Sequence, residues 1–177
     1  MRRKIMLASE FFYPYNEGRN MERRGKMKRF IDSNGYRVEL SEKPVFGESW
    51  HVFVLGRYSG RWLLTKHKQR GLEFPGGKRE AGETIEQAAI REVYEETGAI
   101  VGQLNFLGQY KVHDPIKPII KSIYYAQLRE VERKDTYLET DGPIFLDNLP
   151  DEFGDDYSFI MKDEIVPWSL SRLNDGE

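Results

Sequence analysis

Glu92, Glu95 and Glu96 fall within one helical turn of the stretch PGGKREAGETIEQAAIREVYEETGAI, which runs from Pro75 to Ile100. Carboxylates at that spacing repel one another, and burying them unpaired is costly and raises the pKa of at least one. Two arrangements make such a cluster tolerable: solvation of the whole group, or divalent cations held among its oxygens. At about 100° per residue, Ile85, Ala88, Ala89 and Val93 share an apolar face, with Gln87, Arg91 and Tyr94 roughly opposite. Glu92 and Glu96 land in the middle of the apolar face and Glu95 on its flank. A solvated charge run belongs on the Gln87 and Tyr94 side, so the pattern favours cations. An all-oxygen ligand set of this size suits magnesium or manganese better than zinc.

The elements that must position these groups are legible around them. Thr84 and Gln87 form a capping box, and Gly98 suits a left-handed C-cap, so a helix is expected over Thr84 to Thr97. Upstream, HVFVLG and RWLLTK are apolar, β-branched or aromatic runs joined by RYSG, a hairpin pattern. LEFPGG is a short strand that ends in a Pro-Gly-Gly turn. Downstream, LNFLGQYKVHD and KPIIKSIYYAQLRE read as two long strands joined at Pro115, and GPIFL as another short one. FIMKDEIVPWSLSRL reads as a C-terminal helix, bent or broken near Pro167. Strands on both sides of a central helix, with a second helix at the end, predict an α/β fold: a mixed sheet covered by helices.

The whole chain bounds the chemistry further. Its 177 residues suffice for one domain with a full core. With a net charge of −2, an anionic substrate needs local cations or a metal. There is no cysteine, which excludes disulfides, a thiol nucleophile and Cys-based zinc or iron–sulfur sites. The apolar run IMLA is too short for a signal-peptide core and no stretch has the length of a membrane span, so a soluble, cytoplasmic protein without an obligate protein partner is expected. Residues 1–26 lack a sustained period and read as a basic, disordered arm, with 27–177 as the domain. Such an arm could grip RNA phosphates. ERRGKM also has the character of a translated purine-rich ribosome-binding site, which would put the natural start at Met27.

Gly77, five residues, Glu83, seven residues, then REVYEETGA from Arg91 to Ala99 fill every specified position of G-x5-E-x7-REUxEExGU, where U is apolar. The chain thereby resembles the Nudix hydrolases. LEFPGGK, WLLTKH, LGQYKV and SFIMKD extend the likeness to the MutT-like branch and its bacillar nucleoside triphosphatases, from about Met27 to Leu173. The resemblance implies an α/β/α sandwich with a mixed sheet and a loop-helix-loop box. It implies hydrolysis of a nucleoside diphosphate linked to a further group, with magnesium or manganese. MutT-like members convert a nucleoside triphosphate to monophosphate and pyrophosphate, with oxidised guanine nucleotides such as 8-oxo-dGTP among their substrates. Close relatives of the bacillar group are linked to removal of pyrophosphate from 5′-triphosphorylated RNA.

By that resemblance Glu95 and Glu96 are metal ligands with the backbone carbonyl of Gly76, and Glu92 is a general base or a further ligand. Glu83 and Arg91 are expected to pair, tying loop to helix. A late carboxylate completes the metal site, either Glu139 or Asp141 in YLETDGP, with Glu139 favoured; both also suit turns. Lys78, and less so Arg70 and Lys66, are candidates for phosphate contact, against a solvated role. Phe74 is a candidate for packing on the base, against a core role. Asp163 is a candidate for reading the base edge, against a helix-start role. His51, His67 and His113 show no metal spacing and read as structural or surface groups.

Three functions compete. The first is hydrolysis of a guanine-type nucleoside triphosphate, cleansing the nucleotide pool. The second is an RNA 5′-pyrophosphohydrolase, for which Lys111, Lys117 and Lys121 are candidates for a basic track. The third is a Nudix-fold regulator that binds nucleotide without cleaving it, which the intact box glutamates disfavour. Pro115 lies near the position of a proline in ADP-ribose-specific Nudix enzymes; a turn proline in HDPIKP is the plainer reading.

Overall fold

The structure, a computed structural model, describes residues 27–174. The expected basic arm and the alternative start at Met27 concern residues 1–26, which lie outside the described residues.

Eight strands and three helices make up the described chain. The strands are β1 (Lys28–Ile31), β2 (Arg37–Ser41), β3 (His51–Tyr58), β4 (Arg61–His67), β5 (Gly71–Glu73), β6 (Ala99–Val112), β7 (Ile119–Val131) and β8 (Thr140–Leu146). The helices are α1 (Ile85–Thr97), α2 (Phe159–Lys162) and α3 (Ile165–Asn174). The strands form one sheet in the order β1-β2-β6-β7-β3-β4-β5, with β8 on β4. β3 and β7 run parallel, and the other pairings are antiparallel. The expected mixed sheet is therefore present.

β3 lies inside the sheet because its residues are apolar on both faces, as a strand covered from both sides requires. Side chains alternate across a strand. Val52 and Val54 accordingly pack with Ala88, Ala89 and Val93 of α1, while Phe53 and Leu55 pack with Ile160, Met161 and Ile165 of α2 and α3. Two cores thus sandwich the sheet. The expected β3–β4 hairpin closes through Ser59 and Gly60, both at positive φ, a two-residue turn whose twist matches that of the strands.

The pairing of β4 creates the opening that matters for function. Its first half, Arg61–Leu63, pairs with the end of β3, and its second half, Thr65–His67, with β5. β8 covers the other edge. The start of β3 therefore diverges from β4, and the Pro-Gly-Gly turn fills the gap: Val52 N–H donates to the Gly77 carbonyl and Val54 N–H to the Pro75 carbonyl, both at 2.9 Å.

Three expectations differ from the structure. The C-terminal helix breaks at Asp163 and Glu164, between α2 and α3, and not at Pro167. Pro167 sits in the first turn of α3, where a missing N–H costs nothing. β6 begins at Ala99, directly after the helix cap, because bulges near Val101 and Phe106 keep a strand intact where the apolar period is broken. The β1–β2 hairpin was not among the predicted elements. It is built on an Asp32 turn, whose carboxylate accepts the N–H groups of Asn34 and Tyr36 at 3.0 and 2.8 Å. Among the described residues no helix is long and apolar enough to cross a membrane.

Candidate active site

α1 carries the glutamates, and its ends are held at both termini. The Thr84 hydroxyl accepts Gln87 N–H at 3.2 Å and the Gln87 side chain accepts Thr84 N–H at 2.8 Å, completing the expected capping box. At the other end Gly98 adopts φ 72°, and the last carbonyls find side-chain donors. The Thr65 and Thr140 hydroxyls both donate to the Glu96 carbonyl, at 3.2 and 2.8 Å. The Lys134 ammonium donates to the carbonyls of Tyr94 and Glu95 at 3.1 and 2.8 Å. These three residues pin the last turn of α1 to β4, β8 and the loop between β7 and β8. They were not singled out in the sequence, since nothing local marks a hydroxyl on a distant strand as a helix anchor.

The helix faces are as the periodicity requires. Ala88, Ala89 and Val93 are buried against β3, and Glu96 is buried with them at 6% exposure. Its carboxylate accepts Gly76 N–H at 3.1 Å. Burial drives its pKa up to about 8, against the Gly76 hydrogen bond that favours the charged form. Burial also raises the pKa of Glu92, opposed by the neighbouring Arg91.

Arg91 offsets the repulsion. Its guanidinium donates to both oxygens of Glu83 at 2.7 and 3.1 Å, to Glu92 at 3.0 Å, to Glu95 at 3.1 Å and to the Lys78 carbonyl at 2.9 Å. The expected Glu83–Arg91 pair is present, and the hydrogen bond from Arg91 lowers the Glu83 pKa. The same side chain also orients two of the three clustered carboxylates, a role its place on the helix wheel concealed. Long side chains reach past the direction of their Cβ.

The glycines before the helix are needed for close approach. A Cβ on Gly77 would collide with the Glu92 carboxylate, and one on Gly76 with the backbone carbonyl of Val52. Because the carbonyls of Pro75 and Gly77 bond to β3, the Gly76 carbonyl between them lies outside that ladder.

A cleft of about 1010 Å³ opens at the gap between β3 and β4. Glu92, Glu95, Glu96, Arg91, Gly76, Lys78 and Glu139 all line it. Asp141 does not line it, so of the two late carboxylates Glu139 is the one placed there. The Glu139 side chain is 81% exposed and lies 4.0 Å from His67 Nε2. Among the described residues no three carboxylate or imidazole groups already converge on one point. The donor set nevertheless fits a hard divalent cation: carboxylate oxygens, a backbone carbonyl, and two carboxyl groups desolvated enough to gain from a positive neighbour.

Other candidates are placed differently. Phe74 takes the core role, 1% exposed and edge-on to Phe53 and Trp62, with only its flank on the cleft wall. Arg70 lines the cleft, but its guanidinium is committed to the buried Glu73, at 2.6 and 3.2 Å. Asp163 lies at the break between α2 and α3, away from the cleft lining. There it accepts Ser33 N–H at 3.2 Å, and burial raises its pKa to about 6. It therefore braces the β1–β2 turn, which the sequence spacing did not reveal because that hairpin was unrecognised. Lys66, Lys111 and Lys117 are not part of the lining, whereas Lys121 is. His51 also lines the cleft, while His67 accepts the Gln69 N–H and His113 bonds to Glu39.

Comparison with known proteins agrees with this geometry. Residues 46–166 match the NUDIX domain family. YtkD of Bacillus subtilis (strain 168), provisionally named an 8-oxo-dGTP diphosphatase, is 46% identical over 154 residues, covering 85% of this chain and 98% of that protein. The 8-oxo-dGTP diphosphatase of Escherichia coli (strain K12) is 62% identical over 62 residues, 35% of this chain and 44% of that protein. Among solved structures, a mutant of the Bacillus subtilis pyrophosphohydrolase BsRppH superposes with a TM-score of 0.82 at 46% identity, covering 84% of this chain and 97% of that one.

Proposed function

Because the chain belongs to the NUDIX family and is a hydrolase of phosphoric anhydride bonds, we propose that it converts a nucleoside triphosphate to the monophosphate and pyrophosphate with magnesium or manganese. The supporting observation is the coincidence, in one cleft, of three clustered carboxylates, two of them desolvated, with Lys78 in a chain of net charge −2. The names of the related proteins favour a guanine-type substrate such as 8-oxo-dGTP.

Glu95, Glu96 and the Gly76 carbonyl would hold the cation, with Glu139 as a further ligand and Glu92 either as the general base or as one more ligand. When bound, a divalent cation neutralises polyphosphate oxygens and lowers the pKa of a coordinated water. As general base, Glu92, whose pKa burial raises, would take the proton of the attacking water. Arg91 fixes the directions of Glu92 and Glu95, and Gly77 leaves Glu92 room. Lys78, at the end of the same loop and in the cleft lining, would meet the phosphates.

A second reading is an RNA 5′-pyrophosphohydrolase. It draws on the size of the cleft, which reaches the top of the roughly 300–1,000 Å³ range of small-ligand sites and leaves room for a longer chain. The two readings separate by kcat/KM with magnesium on dGTP, 8-oxo-dGTP, ADP-ribose and a short 5′-triphosphorylated RNA. A lead for dGTP or its oxidised form, with release of pyrophosphate, supports the first reading. A lead for the RNA supports the second, and a lead for ADP-ribose contradicts both.

A further inference from the structure

Lys121 stands in the wall of the cleft. It is partly buried on β7, and among the described residues its ammonium has no hydrogen-bonding or ionic partner; the Tyr110 ring lies 5.9 Å away. Burial lowers its pKa to about 8. Glu73 acts on it at a distance, but that carboxylate is engaged by Arg70. A long flexible lysine on an ordinary surface would reach solvent. A desolvated one facing a cleft gains from a ligand acceptor.

The surroundings indicate which acceptor. Lys121 pairs with His51 across the parallel β3–β7 ladder, so both project on the face that carries Phe53. This is the face of α2 and α3, opposite the one that receives α1. Among the described residues His51 Nδ1 is buried without a partner, and burial together with Lys121 lowers its pKa to about 4, so at neutral pH it is an uncharged hydrogen-bonding group. The cleft wall here is apolar, from Phe53, Phe74 and Ile160, and ends at the half-exposed Phe159. Apolar walls with few orphan polar groups suit a flat heteroaromatic ring better than a polyphosphate. An ammonium has only donors to offer. Guanine presents two acceptors on one edge, O6 and N7, whereas adenine presents an amino donor in place of O6. Oxidation at C8 turns N7 into a donor and leaves O6 intact.

We propose that Lys121 is a specificity-determining residue that donates a hydrogen bond to O6 of a 6-oxopurine, the ring lying against the wall that ends at Phe159. This rests on the nucleotide reading above and names the group that recognises the base. It is tested by calorimetric titration with GMP, IMP and AMP in magnesium, for the wild type, Lys121→Met and Phe159→Ala. The wild type is expected to favour GMP and IMP over AMP. Lys121→Met should weaken GMP and IMP by roughly tenfold and AMP by less than twofold, the size of one lost base-edge contact. Phe159→Ala should weaken all three alike, since stacking tolerates any base. Equal loss of all three in Lys121→Met would place the lysine on the phosphate, and no loss would place it outside the site; either overturns the proposal. Absence of triphosphate hydrolysis by the wild type would remove the function reading while leaving the purine preference measurable in the same titration.

Discussion

Glu96 concentrates the tension of the site. Its pKa of about 8, against an ordinary 4.5, means that the metal-free protein holds a proton there at neutral pH. Between those values the native state binds more protons than the unfolded chain, so this group lowers stability as pH rises from about 4.5 to about 8. A cation that needs the carboxylate must displace the proton. Two results are expected. Magnesium binding measured by calorimetry in buffers of different ionisation enthalpy should release a proton near pH 7, with affinity rising toward pH 8. Glu96→Gln should flatten the fall of metal-free stability over that window. The anomaly of acidic residues on an apolar face was legible in the sequence, and so was the pairing of Arg91 with Glu83. The reach of Arg91 to Glu92 and Glu95 was not, because a helix wheel assigns directions to Cβ atoms and not to guanidinium groups.

At the scale of elements, α1 and the turn before it divide the labour. The capping box stabilises the helix without touching the cleft, whereas Gly77 shapes the cleft without capping anything. Thr84→Ala is therefore expected to cost about 1 kcal/mol in urea unfolding with kcat nearly unchanged. Gly77→Ala should instead displace Glu92 and lower kcat by roughly a hundredfold, since misplacement by about 1 Å is enough for such a loss. Comparable kcat losses in both would mean that the turn acts only through helix stability. These local signals were readable because caps and tight turns are set by neighbours in sequence. The break at Asp163 was not. Pro167 is the conspicuous helix breaker in that segment, yet its place in a first turn disarms it, and the burial of Ile160 and Met161 against the sheet decides where the chain bends.

Over the whole molecule, function depends on one irregularity of the sheet: β3 and β5 share an edge of β4, and the Pro-Gly-Gly turn fills the gap where β3 departs. That gap brings the α1 carboxylates and the Lys121 face into a single cleft. The strands could be recognised one by one from their composition, but their partners could not, because pairing is set by contacts far apart in sequence. For the same reason position alone did not show that Phe74 is a core ring that also lines the cleft, or that Asp163 braces a turn away from it. The most direct test of the metal-carboxylate site is product analysis with magnesium on dGTP for the wild type and Glu96→Gln, with magnesium affinity measured on both. The expected result is monophosphate and pyrophosphate in equal amounts from the wild type. In Glu96→Gln the rate should fall by more than the roughly 10- to 100-fold that loss of an outer-shell metal partner costs, with weakened magnesium binding. Full activity and unchanged magnesium affinity in Glu96→Gln would contradict the assignment of the cleft carboxylates as the catalytic centre.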